Sequence, residues 1–257
     1  MARQQSVAVV SFCRAPRLAQ KRGQMAVGFT TWTVLDNKPI DKLEANLWHV
    51  SGRMKGGNER KMVVAKRGDG DLVIFNAIAL DEPGMAQLEA WGRPGYLVVP
   101  NGFHRQDALI WKQRYPGLKV VAPRGAEKAV AKATAVDLRC DELPADDRVV
   151  LTHPAGLANK EALMIVKHDH GQTLVTCDAL LNLTSKDAKF PFSILLAPVN
   201  TLSTPRFTQW MFVKDRAAWQ NQLAELAATT TRVVPGHGAI ITTDAGAALA
   251  HAKALLD

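Results

Sequence analysis

Two stretches in the second half of the chain decide the fold: QTLVTCDALLN at residues 172–182 and RVVPGHG at residues 232–238. The first is a β-type apolar run that ends at Asp178, and the second is an apolar run that ends in glycines around His237. Runs of this composition predict short strands, and the Gly and Pro residues that follow predict loops. Each strand therefore carries a carboxylate or an imidazole into a loop at its end, where functional residues collect.

The same strand pattern occurs in the first half of the chain. MVVAKR (62–67) and DLVIFNA (71–77) are joined across Gly68, Asp69 and Gly70, which predicts a β-hairpin. EALMIVKH (161–168) and QTLVTC (172–177) predict a second hairpin across the Asp-His-Gly turn at 169–171. Alternating strands and helices follow each hairpin. This order predicts two mixed sheets packed face to face with helices on the outer faces, because each sheet must bury an apolar face.

Further elements are predicted from apolar periodicity and from the Gly and Pro residues that bound them. The predicted helices cover residues 84–91, 104–115, 125–133, 217–228 and 244–256, and the additional strands cover 96–99, 118–122, 149–152 and 232–234.

The strand order and several local phrases resemble the metallo-β-lactamase superfamily over residues 40–257. NLWHVSG (46–52) resembles the opening strand of that family. The 172–182 stretch resembles the phrase that carries its bridging aspartate, here Asp178, and RVVPGHG resembles its last loop, with the final metal histidine at His237. The resemblance implies an α+β class and a four-layer αββα fold, in which two mixed β-sheets carry helices on their outer faces.

The main metal-binding motif of that family, HxHxDH, is absent from this chain, so the resemblance implies a divergent branch. The corresponding stretch, GYLVVPNGFHRQDALIWKQRYPGLKVVAP (95–123), can be aligned in two ways. One alignment places Asn101, Phe103, Arg105 and Gln106 at the four ligand positions, and the other places Gly102, His104, Gln106 and Asp107 there.

The next ligand of the family falls in HPAGLAN (153–159) and is also missing. The ligand position lies near Gly156 or Leu157, and His153 lies about three residues upstream. Residues an odd number of positions apart on a strand point to opposite faces. His153 therefore enters only as an additional candidate.

The resemblance implies His104, Asp178 and His237 as metal ligands, with Asp107 as an additional ligand and with Asp178 and His153 as catalytic groups. A catalytic zinc site has three protein ligands and one open position, so this set can hold at most one zinc or iron ion. A two-ion site needs more ligands than this. The implied function is a mononuclear metal-dependent hydrolase of an ester, thioester, amide or phosphodiester.

The missing motif equally allows a metal-free, catalytically degenerate protein that binds a small molecule or a protein. A non-hydrolytic metal function, such as oxidation at an iron site, is a third interpretation. Local geometry distinguishes the first two. Convergence of His104, Asp178 and His237 favours the hydrolase, whereas Arg105 or Phe103 in a ligand position favours the binding protein.

Composition limits the other classes of partner. The 257 residues are 47% hydrophobic and 22% charged, which is typical of globular domains. Beyond residue 35 the chain is only mildly basic, with Lys and Arg alternating with Asp and Glu, and no basic stripe alternates with aromatic residues, so we expect no specific nucleic-acid partner. No apolar run reaches the ~18 residues of a membrane span, so we expect no membrane association. The small-molecule ligand and the oligomeric state are left open.

The cysteines indicate the cellular compartment, and the N-terminal residues indicate where the domain begins. Cys13, Cys140 and Cys177 show no CxxC spacing, which is typical of packed thiols in a reducing compartment, and we expect a cytoplasmic protein. Residues 1–35 contain five basic residues and no acidic residue, which predicts a basic, flexible extension before the domain at 40–257. Met25 is an alternative start to Met1.

One further pair of histidines, His168 and His170, lies two residues apart at the predicted second hairpin. Residues with this spacing share one face of a strand, which allows chelation. No third ligand lies nearby in the sequence, so we interpret them as residues of an ordinary turn.

Overall fold

A computed structural model describes residues 28–185 and 198–257. Cys13 and the basic residues of the predicted extension lie outside the described residues. Residues 28–35 pack against the domain, since the Trp32 indole N–H donates to the Leu80 carbonyl at 2.9 Å and the Phe29 N–H donates to the Gln106 carbonyl at 2.8 Å.

The first sheet has seven strands that lie in chain order. They are β1 (Asp41–Glu44), β2 (Leu47–Arg53), β3 (Glu59–Lys66), β4 (Asp71–Phe75), β5 (Arg93–Val98), β6 (Lys119–Ala122) and β7 (Leu138–Arg139). The pairs β1–β2, β2–β3 and β3–β4 are antiparallel, and the pairs β4–β5, β5–β6 and β6–β7 are parallel. The predicted hairpin at 68–70 joins β3 to β4, and Gly70 supplies a left-handed φ of 88° in its turn.

The second sheet has four strands in the order β11-β10-β9-β8. They are β8 (Val149–Thr152), β9 (Leu163–His168), β10 (Gly171–Val175) and β11 (Thr230–Val234). β8, β9 and β10 form an antiparallel meander, whereas β11 is parallel to β10. The parallel pair places the loops after β10 and β11 at the same edge of the sheet.

Six helices lie in the described part of the chain. They are α1 (Glu82–Trp91), α2 (Ala108–Arg114), α3 (Glu127–Val130), α4 (Arg206–Met211), α5 (Arg216–Thr229) and α6 (Ala245–Ala254), with a 3-10 turn at Cys140–Glu142. Asp81 caps α1 by accepting from the Gly84 N–H at 2.9 Å, and Asp215 caps α5 by accepting from the Ala218 N–H at 3.0 Å. These caps satisfy N–H groups that a helix leaves unpaired at its start. No helix of residues 28–185 or 198–257 is long and apolar enough to span a membrane.

Three apolar clusters separate four layers. The central cluster joins the inner faces of the two sheets, with Val63, Val73 and Val98 on one side and Met164 and Val234 on the other. A second cluster packs α1, α2 and α3 on the outer face of the large sheet, and a third packs α5 and α6 on the small sheet. The predicted αββα sandwich of two mixed sheets is confirmed.

One element differs from its prediction in a way that matters for function. The helix predicted from residue 104 begins at Ala108, so His104 lies in the loop between β5 and α2. The side chain of Asn101 accepts hydrogen bonds from the N–H groups of Phe103 (2.8 Å) and His104 (3.2 Å). These local side-chain contacts compete with helical pairing and keep the backbone in a loop.

Candidate metal centre

Three side chains converge where the loops after β5, β10 and β11 meet: His104, Asp178 and His237. The Nε2 atom of His104 lies 3.3 Å from Nε2 of His237 and 3.3 Å from Oδ2 of Asp178. The Nε2 atom of His237 lies 3.7 Å from Oδ1 of Asp178. The two sheets therefore bring together three residues that the sequence proposed as ligands, although they are up to 133 positions apart.

Hydrogen bonds from Nδ1 fix the orientation of both imidazoles. Nδ1 of His237 lies 2.6 Å from the Glu59 carbonyl oxygen, and a carbonyl oxygen only accepts, so this nitrogen carries a proton. Nδ1 of His104 lies 3.1 Å from Oδ1 of Asn76. The Asn76 amide is oriented by donation from its Nδ2 to the Lys61 carbonyl at 2.8 Å, so its Oδ1 is the acceptor for His104. With Nδ1 engaged in this way, Nε2 of each ring faces the centre.

This arrangement fits a single metal ion. Two lone pairs facing each other at 3.3 Å repel, so a bound cation, or a proton on one ring, must lie between them. Nitrogen ligands about 2.0–2.1 Å from a tetrahedral zinc ion are about 3.3–3.4 Å apart, which matches the observed separation. The Nδ1 contacts are of the kind that orient histidine ligands in metal sites. Three protein ligands leave one coordination position open, as in catalytic zinc sites.

Asn101 and Thr208 orient Asp178. Asn101 Nδ2 donates to Oδ2 of Asp178 at 2.8 Å, and the Thr208 hydroxyl donates to the Asp178 backbone carbonyl at 2.7 Å. The Oδ1 atom of Asn101 is already bound to two N–H groups of its own loop. Asn101 therefore offers the centre a hydrogen-bond donor and no ligand atom.

Glu161 is fully buried beside Asp178 and was not predicted as a site residue. Its Oε1 accepts from the N–H groups of Cys177 at 3.0 Å and Ala179 at 2.6 Å, which fixes the backbone on both sides of Asp178. Burial and the negative charge of Asp178 raise the pKa of Glu161. The only signal in the sequence is one acidic residue at the start of the apolar run EALMIV (161–166).

A buried ion pair stabilises His104 through Asn76, on the side of the ring that faces away from the centre. Arg60 is only 1% exposed and pairs with Asp107, whose other oxygen accepts from the Ala79 N–H at 3.2 Å. Nη1 of Arg60 also donates to Oδ1 of Asn76 at 3.1 Å, the same oxygen that receives His104 Nδ1. Burial raises the pKa of Asp107, and the charge of Arg60 acts in the opposite direction. The pair therefore fixes Asn76, which in turn fixes His104.

Glycines allow the His237 loop to pack on the Asp178 loop. A Cβ atom on Gly236 would lie 3.0 Å from Cα of Cys177. Gly238 has a left-handed φ of 88°, and a Cβ atom there would lie 1.9 Å from the Asn182 carbonyl oxygen. Only glycine fits this backbone approach, which explains the Gly-His-Gly sequence.

Electrostatics favour the ligand forms of the side chains. Burial raises the pKa of Asp178, but the neighbouring His104 and His237 more than offset burial and hold that pKa below its ordinary value. Burial and the neighbouring His104 lower the pKa of His237 to about 4, against the opposing charge of Asp178. At neutral pH, Asp178 is ionised and His237 is neutral, which are the forms that bind metal ions.

The other two predicted site residues lie outside this group of three. The Asp107 carboxylate is engaged by Arg60, Ala79 and Gln106, whose amide is 3.3 Å away. Nδ1 of His153 lies 3.1 Å from the Glu161 backbone carbonyl. A ligand role for Asp107 and a catalytic role for His153 stay predictions.

Arg105 and Phe103, which in a ligand position would favour the metal-free binding protein, both point elsewhere. Nη1 of Arg105 donates to the Ala129 carbonyl at 2.6 Å, so its charge is held at α3. The Phe103 ring is 53% exposed and stacks on Phe212, with ring centres 6.2 Å apart. Arg105 and Phe103 therefore take no ligand position beside His104, Asp178 and His237.

Both described cysteines are buried, and we expect them to be unreactive in the folded protein. Burial raises the pKa of Cys140 to about 12 and holds that of Cys177 well above its ordinary value. In a Cys13→Ala variant, Ellman's reagent should detect no fast thiol between pH 7 and pH 9, where an ordinary thiol with a pKa of about 8.5 becomes reactive. The same variant in urea should show two thiols. A fast thiol in the folded variant would contradict the burial of both side chains.

Comparison with solved structures agrees with this fold. A DIM-1 metallo-β-lactamase superposes with a TM-score of 0.57 at 13% identity, covering 88% of this chain and 100% of that one. A metallo-β-lactamase from Pontibacter korlensis gives 0.55 at 13% identity, with coverages of 86% and 99%. FIM-1 from Pseudomonas aeruginosa, solved in a mono-zinc form, gives 0.53 at 12% identity, with coverages of 85% and 96%.

Sequence comparison finds no such relatives. No protein-family model matches the chain, and no curated protein matches it. At 12–15% identity the structural likeness shows the fold alone. The chain therefore has the metallo-β-lactamase superfamily fold, in a divergent form without the HxHxDH motif.

Proposed function

We propose that this protein is a mononuclear metal-dependent hydrolase whose ion is held by His104, Asp178 and His237. The observation that carries the proposal is the pair of Nε2 atoms facing each other at 3.3 Å beside an ionised carboxylate. Both rings use Nδ1 for a hydrogen bond, so both present the nitrogen that a metal ion needs. Zinc and iron both accept imidazole and carboxylate ligands.

Three protein ligands can hold one ion but not two. Two ions about 3.5–4 Å apart require more ligands than three side chains supply. FIM-1, which is similar in structure, was solved in a mono-zinc form, and this supports a one-ion centre in the fold. Asn101 adds no ligand atom, because its oxygen is bound to its own loop.

The residues around the proposed ion have different roles in the reaction. A bound ion would supply Lewis-acid activation of a water molecule and of the substrate carbonyl or phosphoryl oxygen. Asn101 holds Oδ2 of Asp178 at 2.8 Å and leaves Oδ1 directed toward His237. Asp178 is the proposed acceptor of the proton from the attacking water, and His153 is the proposed group that moves it onward.

An exposed aromatic side chain next to His104 supports a substrate with an apolar group. Phe103 is 53% exposed although it is large and apolar, and it stacks on Phe212 beside α4. Exposed apolar surface next to a polar centre is typical of binding sites. The scissile bond of an ester, thioester, amide or phosphodiester would then lie at the ion, with its apolar substituent on Phe103.

Replacing Phe103 with Ala tests this substrate contact. We expect KM for an apolar ester to rise about five-fold with little change in kcat, because the loss of about 1 kcal/mol of apolar contact weakens ground-state and transition-state binding equally. Steady-state kinetics with Val150→Ala, another exposed apolar residue, provide the control. An unchanged KM would remove Phe103 from the substrate site.

A metal-free binding protein is the second candidate. It is favoured by Asn101, which directs an N–H group at Asp178 from a loop where the family carries ligands, and by Asp107, which is paired with Arg60. In that case the open centre would bind a small molecule or a protein segment without turnover.

Turnover with and without metal separates the two candidates. Protein stripped with a chelator should hydrolyse none of a panel of p-nitrophenyl esters, thioesters, an anilide and bis(p-nitrophenyl) phosphate. Addition of one equivalent of Zn²⁺, Fe²⁺ or Mn²⁺ should restore hydrolysis of at least one class. A His104→Ala variant should stay inactive under all conditions, and His251→Ala, on the exposed face of α6, should behave as wild type. Metal-independent or absent turnover across the panel would contradict the hydrolase and favour the binding protein.

A further inference from the structure

A second group of ligand-type side chains lies at the opposite end of β10 from Asp178. Glu44 ends β1 in the large sheet, His168 ends β9, and His170 lies in the turn between β9 and β10. One ligand atom from each of these residues lies within 4.8 Å of the other two. The group therefore bridges the two sheets at an edge remote from the first centre along the strand.

His168 shows the clearest sign of a missing partner. Its side chain is 3% exposed, and Nε2 lies 3.0 Å from the hydroxyl of Thr173. Its Nδ1 atom is buried and has no hydrogen-bond partner among the described residues. That atom lies 3.7 Å from Oε1 of Glu44, too far for a hydrogen bond. A buried polar atom without a partner is unfavourable, and a cation bound beside Glu44 would satisfy this nitrogen.

Glu44 and His170 complete the group. Nδ1 of His170 lies 2.9 Å from Oε2 of Glu44, and the His170 side chain is 79% exposed, which gives an ion access from solvent. Nη1 of Arg232 lies 2.8 Å from Oε1 of Glu44 and orients the carboxylate. Carboxylates that bind metal ions are usually hydrogen-bonded to a neighbour, and the second nitrogen of a ligating histidine usually has a hydrogen-bond partner, which here is the Thr173 hydroxyl.

We propose that Glu44, His168 and His170 form a second, transition-metal site, which takes Zn²⁺ or a similar ion through two imidazole nitrogens and one carboxylate. Imidazole ligands favour zinc, copper and nickel over calcium or magnesium. The positive charge of Arg232 beside Glu44 opposes a divalent cation, so this site binds more weakly than the first centre. Its occupation ties the β9–β10 turn to β1, and an ion that binds only the folded state stabilises it.

The two centres can be tested independently with Zn²⁺ as the probe. The full chain carrying His104→Ala and His237→Ala should bind one equivalent of Zn²⁺ in a calorimetric titration and should unfold at a higher temperature with Zn²⁺. Adding His170→Ala should lower that affinity at least ten-fold and remove the thermal shift. His170 is exposed, so its replacement leaves the fold intact, and His251→Ala is the matched control.

The outcomes separate this site from the proposed hydrolase centre. No Zn²⁺ binding by the double variant, or binding that His170→Ala leaves unchanged, would overturn the second site and leave the first centre untouched. If the double variant does not fold, the number of bound Zn²⁺ ions is measured on the chain with His104 and His237 intact. There, His170→Ala should reduce the bound Zn²⁺ from two equivalents to one. A Zn²⁺ stoichiometry that His170→Ala leaves unchanged in that chain would also overturn the second site.

Discussion

An Asp107→Ala variant is expected to unfold with about 3–5 kcal/mol less free energy than the wild type, because it leaves the charge of Arg60 buried without its partner. Arg60 is 1% exposed, and its Nε atom has no hydrogen-bond partner among the described residues. Asp107 also accepts from the Ala79 N–H, so the variant loses that bond as well. Urea unfolding at pH 7 followed by circular dichroism measures the difference.

Two further variants show whether the pair or the lone charge is responsible. Arg60→Met combined with Asp107→Leu removes both charges and should recover much of the lost stability, since apolar residues of similar size often replace buried pairs without loss. Glu82→Gln removes an exposed partner of Arg114 and should leave the free energy of unfolding nearly unchanged. If Asp107→Ala unfolds with the wild-type free energy, the Arg60 charge is solvated and does not hold Asn76 and His104 in place.

The second large effect is expected at Asp178, the one carboxylate among the three proposed ligands. Asp178→Asn keeps the size of the side chain but removes the negative charge that balances the ion, and the affinity for Zn²⁺ should fall more than about 100-fold, beyond the effect of losing an outer-shell contact. Hydrolysis should be lost with it. Competition with a chromophoric chelator measures the affinity, in a His170→Ala background so that the proposed second site does not contribute.

Matched controls make the Asp178 result interpretable. Asp141→Asn changes an exposed carboxylate paired with Arg124 and should leave Zn²⁺ affinity unchanged. Asn101→Ala removes the donor to Asp178 and should weaken binding by about 10–100-fold, as for other outer-shell residues. An Asp178→Asn variant that binds Zn²⁺ within three-fold of its parent would exclude Asp178 as a ligand.

Local sequence patterns predicted most strands of the two sheets, but not β1 and β7 at the edges of the large sheet, because neither DKLE (41–44) nor LR (138–139) contains an apolar run. The glycines at 68 and 70 and the apolar runs on both sides predicted the β3–β4 hairpin because turn chemistry and strand periodicity are local properties. Asp178 and His237 were predicted as site residues from the resemblance, because the two family-like phrases at 172–182 and 232–238 contain them. The helix predicted from residue 104 began four residues later because Asn101 binds two N–H groups of the loop, a contact that periodicity does not reveal.

The residues that support the centre were beyond sequence reasoning for a different reason. Arg60 and Glu161 are charged residues in strand-like surroundings, where a single sequence indicates solvent exposure. Both are buried because their partners come from distant parts of the chain: Asp107 lies 47 positions from Arg60, and Ala179 lies 18 positions from Glu161. Their roles depend on the packing of loops between two sheets.

The proposed second site could not be predicted from the sequence for the same reason. His168 and His170 are adjacent in the turn region, but Glu44 is 126 positions from His170 and belongs to the other sheet. The sequence alone offered two histidines and no third ligand. Only the face-to-face packing of the sheets brings the carboxylate to them.

The most direct test of the central claim is the metal content of protein purified without chelator and without an affinity tag, measured by mass spectrometry. In a His170→Ala background, which leaves only the first centre, we expect about one equivalent of zinc or iron per chain. Adding His237→Ala should remove it. Protein that contains no metal and takes up none on dialysis against zinc, manganese or iron would contradict a metal centre formed by His104, Asp178 and His237.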